Sequence, residues 1–264
     1  MAKSSCVVQP DGSFRLAVLP GPGAVCAAAS PRDWYAVALV DEEKLAGLVK
    51  DGINREFGYH LRTAVGAEEG IAIVSMYHTI ALINPREGEE VPALEFTVQR
   101  ARPIRGTVVG PDGEALSGVV VVGLAAFPGQ VFLDSASFTV RGLNPRSTRN
   151  VYFYHAKSEL GKILTLRGDE TEPLTVQLEP YGSVVGRLLD KKGKPVPGLG
   201  ISFGSMHGLI GDQAETDQQG RFRAQLIPGL EYRLYPPRPL LRDNQTVVVE
   251  TSQVKDLGDL TFGD

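Results

Sequence analysis

The sequence lacks any uninterrupted run of about 18 apolar residues, the length a helix needs to cross a bilayer. Its longest apolar stretch, residues 71–83, is broken by Ser75, His78 and Thr79. Residues 1–30 hold no contiguous apolar run of the kind a secretory signal carries. A polybasic run is missing too. With 27 Lys and Arg against 31 Asp and Glu, the formal charge is −4, which removes the electrostatic footprint of a nucleic-acid binder. Aromatic residues make up only 7%, with a single Trp. Glycine and proline are plentiful, at 30 and 18 residues, and together they exceed the usual share of about 12%. That composition describes a turn-rich chain, and 42% hydrophobic residues are enough to build real cores, which argues against disorder. A length of 264 accommodates one large domain or two to three small ones.

Internal repeats organise the chain. The segment from Arg105 to Val119 matches the segment from Val185 to Leu199, so that Gly106, Gly113, Leu116 and Gly118 fall on Gly186, Gly193, Val196 and Gly198, each 80 positions on. The pattern reads as a strand, a tight turn with glycine at positive φ, and a second strand. A second block recurs three times around Phe14, Phe138 and Phe222. In the last copy Phe222, Ala224 and Leu226 alternate with Arg221, Arg223 and Gln225, as a half-buried antiparallel strand requires, and Pro228-Gly229 ends it. A third block, at residues 95–99, 174–178 and 257–262, reads as the closing strand of each unit.

The first unit departs from the others. Phe138 follows Gly106 by 32 residues, whereas only 13 residues precede Phe14, so the first unit lacks its opening strands. We expect the chain to be a fragment of a longer protein, with residues 1–100 supplying the missing strands in another way as the alternative. Between Phe14 and Gly106 there are also about 44 more residues than between Phe138 and Gly186. This insert, at about 31–75, opens with Ser30 as a helix cap and Pro31 at the first helical position, and Leu45, Leu48 and Val49 sit at helical spacing before Gly52. The expectation is one or two short helices between 31 and 66, and strands at about 71–83 and 93–99.

The run Gly186 to Gly198, then Thr216-Asp217 with Gly220 and Phe222, then Pro228-Gly229 and Leu257 to Leu260, resembles the carboxypeptidase regulatory-like, or transthyretin-like, domains of the carbohydrate-binding-like fold. The resemblance is good over 102–264 and partial over 9–30. It implies Ig-like seven-stranded β-sandwiches in tandem, as in large bacterial envelope proteins, that space, adhere or bind ligands without a catalytic centre. In the middle unit Asp134 to Phe138 replaces the Thr-Asp-x-x-Gly-x-Phe turn, leaving its hairpin less defined.

Chemical motifs yield to structural readings. Gly200 to Gly204 satisfies the Gly-x-Ser-x-Gly pattern, yet Ser202 lies mid-strand with no helix following, where a nucleophile elbow needs one. The pairs Tyr59-His60, Tyr77-His78 and Tyr154-His155 suggest a three-histidine zinc site, but only His60 and His78 share a unit, and strand alternation turns such histidines to solvent or to a sheet edge. His207 has no partners at ligand spacing. Asp190, Asp212 and Asp217 fall short of the oxygens that calcium takes, and Asp217 reads as an Asx-turn residue before Gly220. Cys6 and Cys26 are expected on opposite flanks and faces of a strand over 13–19, hence as free thiols. Trp34 either anchors the insert or, with Tyr35, offers a stacking platform to a sugar. The sequon at Asn244 carries no meaning in a bacterial source.

The reading is thus an all-β protein: an incomplete sandwich over 1–100 with an insert at about 31–75, then complete units at 101–180 and 181–264, each with one cooperative core. It is expected to act outside the cytoplasm, without catalysis or cofactor or metal, on a glycan or protein surface or as a spacer, as a monomer or part of a longer chain. The alternative is an accessory region of a larger enzyme or receptor, of peptidase or outer-membrane transporter type.

Overall fold

In a computed structural model the protein is described over residues 5–21, 23–36, 77–89, 93–125, 129–146, 148–205, 210–235 and 246–261. Near the N-terminus β1 (Gly23–Ala27) pairs antiparallel with β2 (Thr79–Ile83). Eight strands follow between 104 and 180: β3 (Ile104–Val109), β4 (Val119–Val122), β5 (Gln130–Leu133), β6 (Ser137–Val140), β7 (Arg149–His155), β8 (Leu160–Leu166), β9 (Leu174–Gln177) and β10 (Glu179–Pro180). They form two sheets, ordered β6-β3-β9 and β10-β8-β7-β4-β5. Val108, Val121, Val140, Phe153 and Leu166 belong to the shared core. The last seven strands are β11 (Gly182–Leu189), β12 (Gly200–Ser205), β13 (Gly211–Glu215), β14 (Arg221–Leu226), β15 (Tyr232–Tyr235), β16 (Thr246–Val247) and β17 (Val254–Thr261). Their sheets run β14-β11-β17 and β13-β12-β15-β16. The chain is built of all-β sandwich units.

The repeated residues share one geometry. Gly106 of β3 pairs with Phe138 of β6, and Gly186 of β11 pairs with Phe222 of β14. The phenylalanine ring lies over the glycine Cα. A Cβ on Gly186 would sit 2.6 Å from the Phe222 ring and 3.3 Å from the Gly258 carbonyl; one on Gly106 would meet the Phe138 ring and, at 2.8 Å, the Leu174 carbonyl. Each opening strand also pairs in parallel with its closing strand, β3 with β9 and β11 with β17. The turns repeat as well. Gly113 and Gly193 adopt φ of +82° and +72°, as the pattern predicts, and their N–H groups donate to Gly110 and Asp190 carbonyls at 3.0 and 2.9 Å. Asp217 is the expected Asx-turn residue, its Oδ1 accepting from the N–H groups of Gln219 and Arg221 at 2.9 and 2.8 Å. Despite its altered sequence, the middle unit's turn closes alike: Val108 N–H donates to Ala136 at 2.8 Å, as Leu188 N–H does to Gly220 at 2.7 Å.

Several expectations are corrected. Residues 24–27 do not pair back on 13–19; β1 takes β2 as its partner, and neither 13–19 nor 93–99 forms a strand. Of the expected strand at 71–83, only 79–83 forms one among the described residues. The insert opens with a 3-10 turn at Arg32–Trp34 whose cap position is held by Pro31, in extended conformation, rather than by Ser30. The helical pattern at Leu45, Leu48 and Val49 lies outside the described residues, as do Tyr59, His60 and His207.

Two core clusters form, one in each complete unit, and the middle unit also lends residues to the last unit's cluster. Val122 and Tyr152 belong to the cluster that contains Val184, Phe203, Phe222 and Leu234, with Tyr154 and Ile163 packed against it. The reason is the alternation of β7. Val151 and Phe153 face their own sandwich, whereas Tyr152 and Tyr154 point the other way, into the next one.

Replacing Gly186 with Val is expected to cost about 1–3 kcal/mol from overpacking against Phe222, read as a lower denaturant midpoint at unchanged slope. A Phe222→Leu background should shrink that cost, and equal costs in both backgrounds would sink the ring-over-glycine account.

Candidate functional site

The two sequence-singled aromatics sit side by side on the 3-10 turn, where the chain meets the connection into the middle sandwich. Ala36 N–H donates to Gln99 at 2.8 Å and Ala101 N–H donates to Trp34 at 2.9 Å, with Tyr35 and Arg100 forming an antiparallel bridge. This staple fixes the backbone of both aromatics. The Trp34 side chain stands out, 48% exposed, with the Arg100 guanidinium 5.6 Å from its ring centroid. Tyr35 instead leans on the His78 ring at 5.6 Å. Of the two expected settings for this histidine, solvent or a sheet edge, the first does not hold, because His78 is buried just before β2. Its Nδ1 accepts from the Ala29 N–H at 2.8 Å and its Nε2 donates to the Arg32 carbonyl at 3.0 Å, so one imidazole ties both ends of the turn. Trp34 is therefore a presented indole held by a cation and a rigid backbone, and Tyr35 is a support.

A second feature lies between the complete sandwiches. A groove of about 660 Å³ is lined on one side by Tyr152, Lys162 and Glu179 and on the other by Leu230, Val248 and Thr251. Lys162 pairs with Glu179 across β8 and β10, and the Thr251 hydroxyl donates to the same carboxylate at 2.6 Å. That chain of three joins the sandwiches at the groove's rim, while Tyr152 joins them at its floor. The Lys162 hydrogen bond, and after it the Thr251 bond, hold the Glu179 carboxyl below the ordinary carboxylate range. Nothing in the sequence pattern marks Lys162, Glu179 or Thr251. Tyr152 did leave a signal: residues 151–154 are apolar or aromatic without alternation, as in a strand buried on both faces.

No protein-family model matches the chain, and no curated protein does. Among solved structures it is similar to the minor pilin GBS52 of Streptococcus agalactiae, at 14% identity over 61% of this chain and 97% of that one, with a TM-score of 0.32. It is also similar to the major pilin subunit BcpA of Bacillus cereus, at 14% identity over 62% and 55% of the two chains and a TM-score of 0.29. The Bacillus anthracis TIE protein gives 17% identity over 61% of this chain and a TM-score of 0.27, and the matched part spans a third of that protein. TM-scores near 0.3 lie below the level at which two chains share an overall arrangement, so function is argued from this chain's own residues.

The remaining candidates are dispersed. Ser202 lies mid-strand in β12, and its hydroxyl accepts from Gln213 Nε2 at 3.1 Å on the facing β13. Asp190 is spent on its own turn, Oδ1 accepting from the Lys192 and Lys194 N–H groups at 2.8 Å, and the Lys194 bond leads in holding its carboxyl below the ordinary range. Asp212 accepts from the Gln225 N–H at 2.7 Å and so links β13 to β14. Among the described residues no three His, Cys, Asp or Glu side chains gather at metal-binding distance. His155 ends β7, with its Nδ1 buried and unpartnered. Cys6 and Cys26 are free thiols, Cys6 exposed and Cys26 on β1, where burial pushes its thiol up to about 11. The strand over 13–19 that was to separate them does not form.

Truncating Tyr152 to Ala is expected to cost about 3–5 kcal/mol and to raise hydrogen exchange in β11 and β14 as well as in β7. Faster exchange confined to 104–180 would show that the cores are independent. For Glu179 the folded value lies below the unfolded one of about 4.3, so its contribution is present above that pH and fades as pH falls through the folded value. Wild type should therefore lose more stability than Glu179→Gln between about pH 5 and pH 3 in urea titrations.

Proposed function

We propose that the chain is a non-catalytic module of tandem carboxypeptidase regulatory-like β-sandwiches, divided at 1–100, 101–180 and 181–264, that works outside the cytoplasm. It presents a contact surface to a glycan or to another protein while holding neighbouring domains apart. The observation that carries this reading is the pose of Trp34: a half-exposed indole on a backbone stapled at residues 99–101, with Arg100 beside it. An indole so placed offers the flat apolar face on which a pyranose ring stacks. The polar side chains that have been located serve turns and strand links rather than converging on one reacting centre, which supports a binding role. No helix among the described residues is long and apolar enough to cross a membrane. The joined cores and the Lys162–Glu179–Thr251 link make the two complete sandwiches a stiff arm, which favours spacing.

A second reading is an accessory region of a larger peptidase or outer-membrane transporter. Full-length sequence flanking residues 1–264 would separate the two.

Glycan-array and polysaccharide pull-down assays on the whole chain, run beside Trp34→Ala, test the carbohydrate part. The expected outcome is retention of at least one polysaccharide by wild type and its loss in the variant at unchanged melting temperature. Equal retention by both proteins would remove Trp34 from the site, and no retention at all would leave the protein-contact and spacing roles.

A further inference from the structure

Two strands of the complete units hold the same place at the end of a sheet, β5 beside β4 and β13 beside β12. One bond aligns them. Gly118 N–H donates to the Leu133 carbonyl at 2.8 Å, as Gly198 N–H does to Thr216 at 2.9 Å. Leu133 therefore stands where Thr216 does, Phe132 where Glu215 does and Val131 where Ala214 does. The two edges are nonetheless finished differently. β13 carries the exposed charge of Glu215, and the Asp212 carboxylate accepts from the Gln225 N–H of β14 at 2.7 Å, which ties this edge to the facing sheet. β5 has neither device. It holds no charged residue, and Phe132 is 63% and Val131 42% exposed, against 7% for Ala214.

The same edge offers main-chain bonds. Because the Leu133 carbonyl points to β4, strand alternation turns the N–H and C=O of Gln130 and Phe132 away from β4. Among the described residues no hydrogen bond reaches those groups. On the sheet's outer face Phe132 lines up with Val120 and Tyr154, and Tyr154 packs against the core cluster of the last unit. The apolar layer between the sandwiches thus runs out along this row and ends, uncovered, at Phe132.

We infer that β5 is a self-association edge, on which a second copy of this chain lays its own β5 antiparallel, with a twofold axis at Phe132. In that register each Phe132 exchanges two main-chain hydrogen bonds with the partner's Phe132, and Val131 lies opposite the partner's Leu133. Aromatic meets aromatic, aliphatic meets aliphatic, and no charge opposes a like one. The same operation at β13 would set Glu215 against itself, so residue type selects which of the two edges associates. The axis closes the assembly at two copies, their five-stranded sheets joined edge to edge. A strand of four residues buries less than a standard interface, hence the association is weak and depends on concentration. It does not rest on the contact proposed at Trp34.

Sedimentation equilibrium of the whole chain, from about 10 µM to about 1 mM, tests this beside Phe132→Glu, Phe132→Lys and an equimolar mixture of the two. Phe132 belongs to neither core cluster, so both variants are expected to keep the wild-type melting temperature. Wild type should rise toward twice the monomer mass with slowed amide exchange at Gln130 and Phe132, and each variant alone should associate at least about tenfold more weakly. The mixture should regain association, because the axis sets opposite charges face to face. A wild type that stays monomeric overturns the inference, as does association that Phe132→Glu leaves unchanged. So do a mixture no tighter than its components, protection confined to residues outside 130–133, and growth beyond two copies.

Discussion

A phenylalanine ring lying over a glycine backbone is the contact around which each complete unit is arranged. The ring needs a neighbouring strand at that point without a side chain, and only Gly106 and Gly186 provide it. Because the glycine has a strand on both sides, the same contact fixes the opening strand at the centre of its sheet. The register of the phenylalanine strand and of the parallel closing strand then follow together. A one-residue slip would place a β-branched or charged side chain under the ring and turn every core residue outward.

From that centre the architecture extends through β7, which, like its neighbour β4, is buried on both faces. Val151 and Phe153 complete one core while Tyr152 enters the other, so the boundary between the sandwiches is a packed layer rather than a hinge of polar linkers. The groove, its ion pair and Thr251 sit at the edge of this layer, where water reaches the charged groups and the apolar residues turn inward. A surface pair of this kind adds little energy by itself. Its effect is orientation, because the Tyr152 layer has already brought the two sandwiches together.

Much of this was legible in the residues. Gly106, Gly113, Gly186, Gly193 and Gly220 announced turns and a close approach that backbone sterics allow few other residues to make, and the alternation from Arg221 to Leu226 named the buried face. What escaped reading depended on contacts far apart in the chain. His78 read as a histidine facing solvent or capping a sheet edge, because nothing local shows that Ala29 and Arg32 bracket its ring. Lys162 and Glu179 are ordinary surface residue types, and only the pairing of β10 with β8 makes them partners. The strands expected at 13–19 and 93–99 had the right pattern but no described neighbour, and a strand without one has no ladder to form. Trp34 was singled out as the lone tryptophan, yet its exposure is set by the staple to residues 99–101, which no local pattern encodes.

The parallel pairing of the first and last strands has a consequence for a chain held at both ends. In β3 with β9, and in β11 with β17, tension on a unit pulls its two terminal strands past each other along their common axis. The bridging hydrogen bonds are then loaded in shear and share the force at once, instead of parting one after another as in an unzipping hairpin. Units of this topology, set in series, resist stretching by their geometry before any question of sequence-specific strength arises.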